Sequence, residues 1–184
     1  SGIGAGKDLT KKGIPMIKDL PGVGKNLQDH LQARPVFKCR APTLNTELKH
    51  PLKLAKIGLQ YIFFRNGPIT MAASLGVGFL KTDELLETPD VQFHIQPFSM
   101  DKPSLSGLHK FDGFTASVCQ LRPERTGEIT LKSADIDDHP LILPNYLSTD
   151  MDCRTLVAGI KIARKIALSE PLRELVFEEF SPGS

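Results

Sequence analysis

The chain has 184 residues, a length that fits one domain able to bury a substantial core. Its 23 Lys and Arg side chains nearly balance its 21 Asp and Glu side chains, and the absence of a long basic run argues against nucleic-acid binding. No apolar run is long enough to cross a bilayer, and no charged-then-apolar signal segment opens the sequence.

The N-terminal residues predict a short helix. Asp8 is a suitable cap for one or two helical turns that end at Gly13, and residues 14–17 predict an extended stretch after it. The isolated cysteines Cys39, Cys119 and Cys153 lack Cys-x-x-Cys spacing, so neither a zinc site nor a disulfide framework is indicated. Small buried thiols are typical of a reducing cytoplasm.

Residues 18–30 form a dense polar motif after a sharp bend, Lys-Asp-Leu-Pro-Gly-Val-Gly-Lys-Asn-Leu-Gln-Asp-His. Pro21, Gly22 and Gly24 break regular structure within four positions, so the backbone here turns tightly or approaches something closely. The motif lacks the third glycine of a dinucleotide fingerprint and no hydrophobic strand precedes it. Composition alone leaves a surface turn and a ligand contact both open.

The next elements are a strand over residues 34–40 and a helix that begins at Asn45 or Thr46, with Pro51 in its first turn. Apolar residues recur along this helix at helical spacing and predict a buried stripe of Leu54, Ile57, Gly58, Tyr61 and Ile62. A membrane-surface helix is the alternative interpretation of the same stripe.

Residues 91–97 alternate between apolar and polar side chains, which predicts a strand. Gln92, His94 and Gln96 share one face, which is either solvated or the polar floor of a pocket. Residues 99–111 predict a mobile surface loop of the kind that often covers a site, and His109 in it is expected at the surface.

The C-terminal third predicts a hairpin of residues 113–121 and 128–133 with Ile129 facing inward, followed by a long helix capped by Thr149 or Asp150. The buried stripe of that helix is Leu156, Ile160, Ala163 and Ala167. Residues 172–177 predict a short final helix. The Asp and His residues over 135–139 fall in a turn, so no metal site is predicted there.

The order of these residues closely resembles the glucose-methanol-choline (GMC) family of flavin-dependent oxidoreductases. The resemblance is carried by Leu-Pro-Gly-Val-Gly-Lys-Asn-Leu-Gln-Asp-His over 20–30 and by Ser-Gly-Ile-Gly at 1–4. Gly-Pro-Ile-Thr at 67–70, Pro-Asp-Val-x-x-His at 89–94 and Arg-Pro-x-x-x-Gly-x-Ile-x-Leu-x-Ser at 122–133 follow the same family pattern. The similarity runs from the first residue to the last.

The resemblance implies an α+β fold with a mostly antiparallel sheet flanked by helices. Residues 1–30 would be a connector from the flavin-binding domain and residues 31–184 the substrate-binding domain of a longer parent protein. The parent would bind FAD and transfer hydride from an alcohol to the flavin, while a histidine outside this chain takes the hydroxyl proton. No catalytic residue and no FAD fingerprint is expected within the 184 residues.

The resemblance also assigns site residues. Gly24, Asn26, Asp29 and His30 would lie beside the flavin, and Leu75, His94, Gln96 and Phe98 would line the substrate side. Choline-oxidising members carry a glutamate where this chain has Leu75, and a leucine cannot pair a cation. We therefore expect a primary, apolar alcohol as substrate, with choline, or a non-enzymatic binding module, as alternatives.

The expected partners follow from the same reasoning. They are an alcohol substrate and the missing flavin-binding domain of the same chain, with no nucleic acid and no metal. We expect the isolated fragment to be inactive, to hold no FAD and to self-associate through the interface that it bares. A cytoplasmic location is expected, and membrane association of the parent is left open. The electron acceptor, either oxygen or a quinone-type carrier, is also left open.

Overall fold

The computed structural model describes residues 1–72, 74–102 and 105–183. The strands are β1 Ile3–Gly4, β2 Lys18–Asp19, β3 Gln32–Ala33, β4 Val36–Cys39, β5 Gly76–Leu80, β6 Val91–Gln96, β7 Gly113–Gln120, β8 Glu128–Thr130, β9 Leu141–Leu143 and β10 Val176–Ser181. The α-helices are α1 Gly6–Lys11, α2 Leu44–Glu47, α3 Pro51–Phe64, α4 Asp150–Ala167 and α5 Leu172–Leu175, and 3-10 turns lie at Pro68–Thr70 and Leu105–Gly107.

The chain forms two compact units. The first comprises Ser1–Leu31 and Arg122–Arg154, and the second comprises Gln32–Leu121 together with the chain from Thr155 onward. In the first unit β1 pairs with β2 in parallel and β8 pairs with β9 antiparallel. The predicted capping role of Asp8 is wrong, because Asp8 and Leu9 both donate their N–H groups to the Ala5 carbonyl and α1 begins earlier, at Gly6.

The main sheet belongs to the second unit. Its strand order is β10-β4-β7-β6-β5, β3 also pairs with β7, and neighbouring strands run antiparallel. The predicted α+β class with a mostly antiparallel sheet is therefore confirmed.

The core of the second unit lies between one face of this sheet and α4. Val91, Phe93 and Val118 are buried on the sheet, as the alternation along residues 91–97 predicts. Ala163 and Ala167 of α4 are fully buried against them, and the other two residues of the predicted stripe, Leu156 and Ile160, pack on the same cluster. Thr149 caps α4, since its hydroxyl accepts the Asp152 N–H at 3.1 Å.

The predicted hairpin of residues 113–121 and 128–133 is wrong. Strand β7 pairs with β6 and β4 in the second unit, whereas β8 pairs with β9. The turn between β8 and β9 is closed by Asp138, whose carboxylate accepts from Lys132 at 3.1 Å and Ser133 at 2.6 Å. This short local connection provides the partner of β8, and Ile129 remains 40% exposed instead of facing inward.

Three further predictions need correction at the helices. Thr43 caps α2 through its hydroxyl, and a separate helix α3 begins at Pro51, so the single predicted helix is two. Of the predicted α3 stripe, Ile57 is buried, but Leu54 and Ile62 are 46% and 61% exposed. The C-terminal helix ends at Leu175, where β10 begins and pairs with β4, because tertiary pairing overrides local helix preference there.

Candidate functional site

The polar motif of residues 18–30 is attached to β8 within the first unit. Gly24 has a left-handed φ of +78°, and a Cβ atom at this position would lie 2.1 Å from the Ile129 carbonyl oxygen. Ile129 donates its N–H to the Gly24 carbonyl at 2.7 Å, and Leu27 and Gly127 exchange backbone hydrogen bonds of 3.0 and 2.8 Å. The close approach of β8 explains why glycine is needed at position 24, and the predicted flavin contact of Gly24 stays a prediction.

Arg125 and Tyr146 hold the end of the motif. Arg125 is 4% exposed, and its guanidinium donates to the Pro144 carbonyl at 2.9 Å and to the Asp29 carbonyl. The Tyr146 ring lies 4.3 Å from the guanidinium carbon, and its hydroxyl donates to the Asp29 carboxylate. This hydrogen bond from Tyr146 lowers the pKa of Asp29, with the His30 backbone and the Arg125 charge acting in the same direction. Asp29 therefore stays ionised and fixed in position.

Asn26 and His30 are exposed, like most of the motif. Asn26 has a left-handed φ of 59°, a conformation that asparagine tolerates better than most residues. A Cβ atom at the nearby Gly22 would meet nothing within 4 Å, so open space borders this turn. The exposed amide of Asn26 and the exposed imidazole of His30 carry hydrogen-bond donors of the kind that a phosphate- and carbonyl-rich group such as FAD requires, so these residues fit such a group.

A second candidate site lies in the second unit, on the sheet face opposite the core. In the register of β5 and β6, Val77 pairs with His94 and Phe79 with Gln92, and paired residues point to the same face. The surface that results is called the His94 face and comprises Leu75, Val77, Phe79, Gln92, His94 and Gln96. The predicted polar row is thus accompanied by exposed apolar side chains from β5 and from Leu75 just before it, which are 53% to 66% exposed.

Neighbouring polar groups fix the position of His94. Its Nδ1 lies 3.3 Å from the Ser74 hydroxyl, and its carbonyl accepts from the Ser117 hydroxyl at 3.2 Å. Arg34 donates to the Gln96 side-chain oxygen at 3.1 Å. His94 and Gln96 are therefore half-buried side chains held in place on an otherwise accessible face.

The other two predicted substrate residues border this face. Leu75 is 66% exposed and donates its N–H to the Ile95 carbonyl at 2.8 Å, which extends the pairing of β5 and β6 by one residue. Phe98 is half-buried just beyond β6, where its carbonyl accepts from the Thr115 hydroxyl at 2.9 Å. Leu75, His94 and Gln96 are therefore brought together, and Phe98 lies two residues beyond Gln96.

His109 is buried, which contradicts the predicted surface position. Its ring nitrogens contact the Ser99 hydroxyl at 2.9 Å and the Asp101 carboxylate at 2.7 Å, and its ring stacks on Phe111 at 4.8 Å. The mobility expected of residues 99–111 stays a prediction, and Pro103 and Ser104 of this segment lie outside the described residues. Because Ser99 is fully buried, this Ser-His-Asp cluster cannot offer a nucleophile to a substrate.

A family profile described as GMC oxidoreductase matches residues 123–184. Over the whole chain the sequence is 38% identical to an alcohol dehydrogenase (acceptor) of Pseudomonas putida, and this chain spans 33% of that protein. It is 35% identical to the mitochondrial choline dehydrogenase of Homo sapiens, of which it spans 31%. The chain belongs to the GMC oxidoreductase family.

A solved structure has the same fold as this chain. The crystal structure of a formate oxidase matches 100% of this chain with a TM-score of 0.87 and 25% identity, over 37% of its own length. This GMC chain therefore spans about a third of the relatives that it matches. The resemblance predicted from the sequence is confirmed.

Sequence reasoning misses three residues of these sites. Arg125 and Tyr146 fall in segments whose family pattern indicates a structural role, and their contact with Asp29 depends on tertiary structure. Ser74 lies in a run of small residues that carries no signal for a histidine partner.

Proposed function

We propose that the parent protein is an FAD-dependent GMC oxidoreductase that oxidises a primary, apolar alcohol and that this chain is its substrate-binding part. The His94 face carries the proposal, because it combines an imidazole and amides with exposed apolar side chains. An alcohol needs a hydrogen-bond partner for its hydroxyl group and an apolar surface for its carbon chain. The identity of 38% to an alcohol dehydrogenase supports the same substrate class.

In this proposal residues 1–30 are the connector and residues 31–184 the substrate-binding domain. The remaining length of the parent would supply the flavin-binding domain. The isolated chain would then be inactive and would not hold FAD, and the apolar residues that it exposes would cause it to self-associate. A cytoplasmic location is part of the same proposal.

The motif at residues 26–30 would contribute to FAD binding. When bound, FAD accepts the hydride that leaves the alcohol carbon. Asn26 and His30 would donate hydrogen bonds to the cofactor from their exposed positions, with Gly24 supplying the turn. Asp29, held by Tyr146 and the Arg125 guanidinium, would keep its negative charge beside them.

His94 would bind the alcohol oxygen. Because Nδ1 faces the Ser74 hydroxyl, Nε2 is the nitrogen that would meet the substrate. The removal of the hydroxyl proton is assigned to a histidine outside residues 1–184, as the family resemblance implies. Leu75, Gln96 and Phe98 would border the carbon chain and orient it.

Substitution of Leu75 by glutamate tests the substrate class. Leu75→Glu adds a carboxylate to the His94 face, which would bind a trimethylammonium group and repel an aliphatic chain. In the FAD-loaded parent we expect kcat/KM for choline divided by kcat/KM for 1-octanol to rise at least about tenfold. The measurement is steady-state oxidation of both alcohols with an artificial electron acceptor.

Leu85→Glu is the matched control, because Leu85 is 93% exposed in the connection between β5 and β6, is not one of the residues of the His94 face, and the substitution is the same. It should leave the ratio unchanged. A wild-type parent that prefers choline would support the first alternative and refute the inference from Leu75. A parent that oxidises neither alcohol and holds no flavin would support a non-enzymatic binding module.

A further inference from the structure

Helix α3 carries apolar side chains on its outward face as well as its inward one. Ile57 points inward and is buried. On the opposite side of the helix, side chains at helical spacing are exposed by 75% at Leu52, 54% at Leu59, 61% at Ile62 and 72% at Phe63. An apolar stripe on a helix is normally covered by another element, and the outward stripe of α3 is open in this chain.

Basic residues predominate around α3, where Lys53 forms an ion pair with Glu47 at 3.6 Å. Between Glu47 and Asp83 the sequence contains no acidic residue and has five basic ones, at positions 49, 53, 56, 65 and 81. Lys56 lies beside Leu52, Leu59 and Phe63 along one groove at the helix surface. An apolar stripe bordered by positive charge complements a surface that offers hydrocarbon beneath negative groups.

The length of α3 decides how it could meet a bilayer. Its 14 residues span about 21 Å, which is less than the hydrocarbon thickness of about 30 Å. Among the described residues no helix is long and apolar enough to cross a membrane. A helix of this kind lies in the plane of the lipid headgroups with its apolar side chains below them.

We propose that α3 docks the protein on an anionic lipid surface, with Leu52, Leu59, Ile62 and Phe63 inserted among the acyl chains and Lys56 at the headgroups. The proposal goes beyond the oxidation of an alcohol and does not depend on it. For an apolar substrate it has a functional consequence, because such an alcohol concentrates in the bilayer to which the enzyme would be bound.

Vesicle flotation of the FAD-loaded parent tests the proposal. With vesicles of phosphatidylcholine containing about a third phosphatidylglycerol, we expect the wild-type protein to float. Phe63→Glu should lower the partition coefficient at least about tenfold, because it replaces an inserted ring by a charge. Lys56→Glu should lower it about fivefold or more on these vesicles and much less on pure phosphatidylcholine.

Leu85→Glu is again the control, since this residue is 93% exposed and lies outside α3, and it should float like the wild type. Failure of the wild type to float, or flotation of Phe63→Glu at the wild-type level, would overturn the proposal.

Loss of bound FAD in Phe63→Glu without vesicle binding by the wild type would indicate that the flavin domain covers α3. Dissociation of a dimer in light scattering, again without vesicle binding, would indicate a second copy instead, and both results refute the lipid assignment. Flavin reduction by alcohol is measured without vesicles, so failure here leaves the proposed oxidation unaffected.

Discussion

Asp112 shows how a single carboxylate organises a turn in the second unit. One of its oxygens accepts the Thr43 N–H at 2.7 Å, the Thr43 hydroxyl at 3.1 Å and the Thr46 hydroxyl at 2.7 Å. Partial burial opposes ionisation, but these hydrogen bonds outweigh it together and lower the pKa of Asp112 below its usual value of 3.8. The folded state therefore stabilises the ionised form of Asp112.

Asp112→Asn tests this contribution. The substitution keeps an oxygen acceptor and removes the charge, so we expect the free energy of unfolding at pH 7 to fall by about 1–2 kcal/mol. A lowered folded-state pKa gives stability that is complete above the unfolded pKa and is lost as the pH falls through the folded pKa. The variant should therefore lose less stability on acidification than the wild type.

Urea unfolding at neutral and acidic pH measures the effect. Asp137→Asn, at an exposed carboxylate, is the control and should match the wild type at both pH values. Equal acid sensitivity of wild type and Asp112→Asn would show that the charge of Asp112 has no role in stability.

The residue scale also shows where sequence reasoning reaches its limit. The pattern of Gly24 predicts a tight turn correctly, but the reason for the glycine is the Ile129 carbonyl, more than a hundred positions later in the chain. The residues next to His109 in the sequence are typical of a surface loop. Its burial depends instead on contacts with Ser99 and Phe111 in the folded chain. Contacts of this kind cannot be read from local spacing.

At the scale of elements, α4 packs on the sheet through a glycine. A Cβ atom at Gly159 would lie 2.7 Å from a methyl group of Val118, which is fully buried in the core. This close approach brings the helix backbone next to β7. The neighbouring side chains Leu156 and Ile160 then reach the core on either side.

Gly159→Ala should therefore destabilise the protein, although alanine favours helices. We expect a loss of about 1–3 kcal/mol in the free energy of unfolding, because the methyl group overpacks the contact with Val118. Thermal or urea unfolding measures it.

Gly58→Ala in α3 is the matched control. A Cβ atom at Gly58 would meet nothing within 4 Å, so the same change should stabilise the protein by about 0.5–1 kcal/mol. A stabilising effect at both glycines would show that α4 does not pack as closely on β7 as the structure indicates.

Elements with a strong periodic pattern are predicted best from the sequence. Strand β6 and helix α4 follow their apolar patterns, because each packs against the same core. The partner of β8 and the strand β10 are missed, since pairing depends on which distant segment reaches the strand edge. The alternation along β6 is enough to predict that Gln92, His94 and Gln96 share one face. The side chains that β5 adds to that face can be predicted only once the pairing register of β5 and β6 is known.

At the scale of the whole molecule, two exposed apolar surfaces, on β5 and on α3, need an explanation. The chain spans about a third of its curated relatives, and several apolar side chains of β5 and α3 are exposed. We infer two different covers, a flavin-binding domain and its alcohol substrate over the His94 face and a lipid surface over α3. Their chemistry differs, because Lys56 borders the apolar stripe of α3, whereas the His94 face carries amides and an imidazole beside its apolar side chains.

The most direct test of the central proposal is anaerobic reduction of the flavin in the FAD-loaded parent by a primary aliphatic alcohol. We predict that 1-octanol bleaches the visible absorption of the oxidised flavin. His94→Ala should slow that bleaching at least about tenfold without changing the spectrum before mixing. His139→Ala, at an exposed histidine of the first unit, should bleach at the wild-type rate. An oxidised spectrum that 1-octanol leaves unchanged in the wild type, or equal rates for wild type and His94→Ala, would contradict the account.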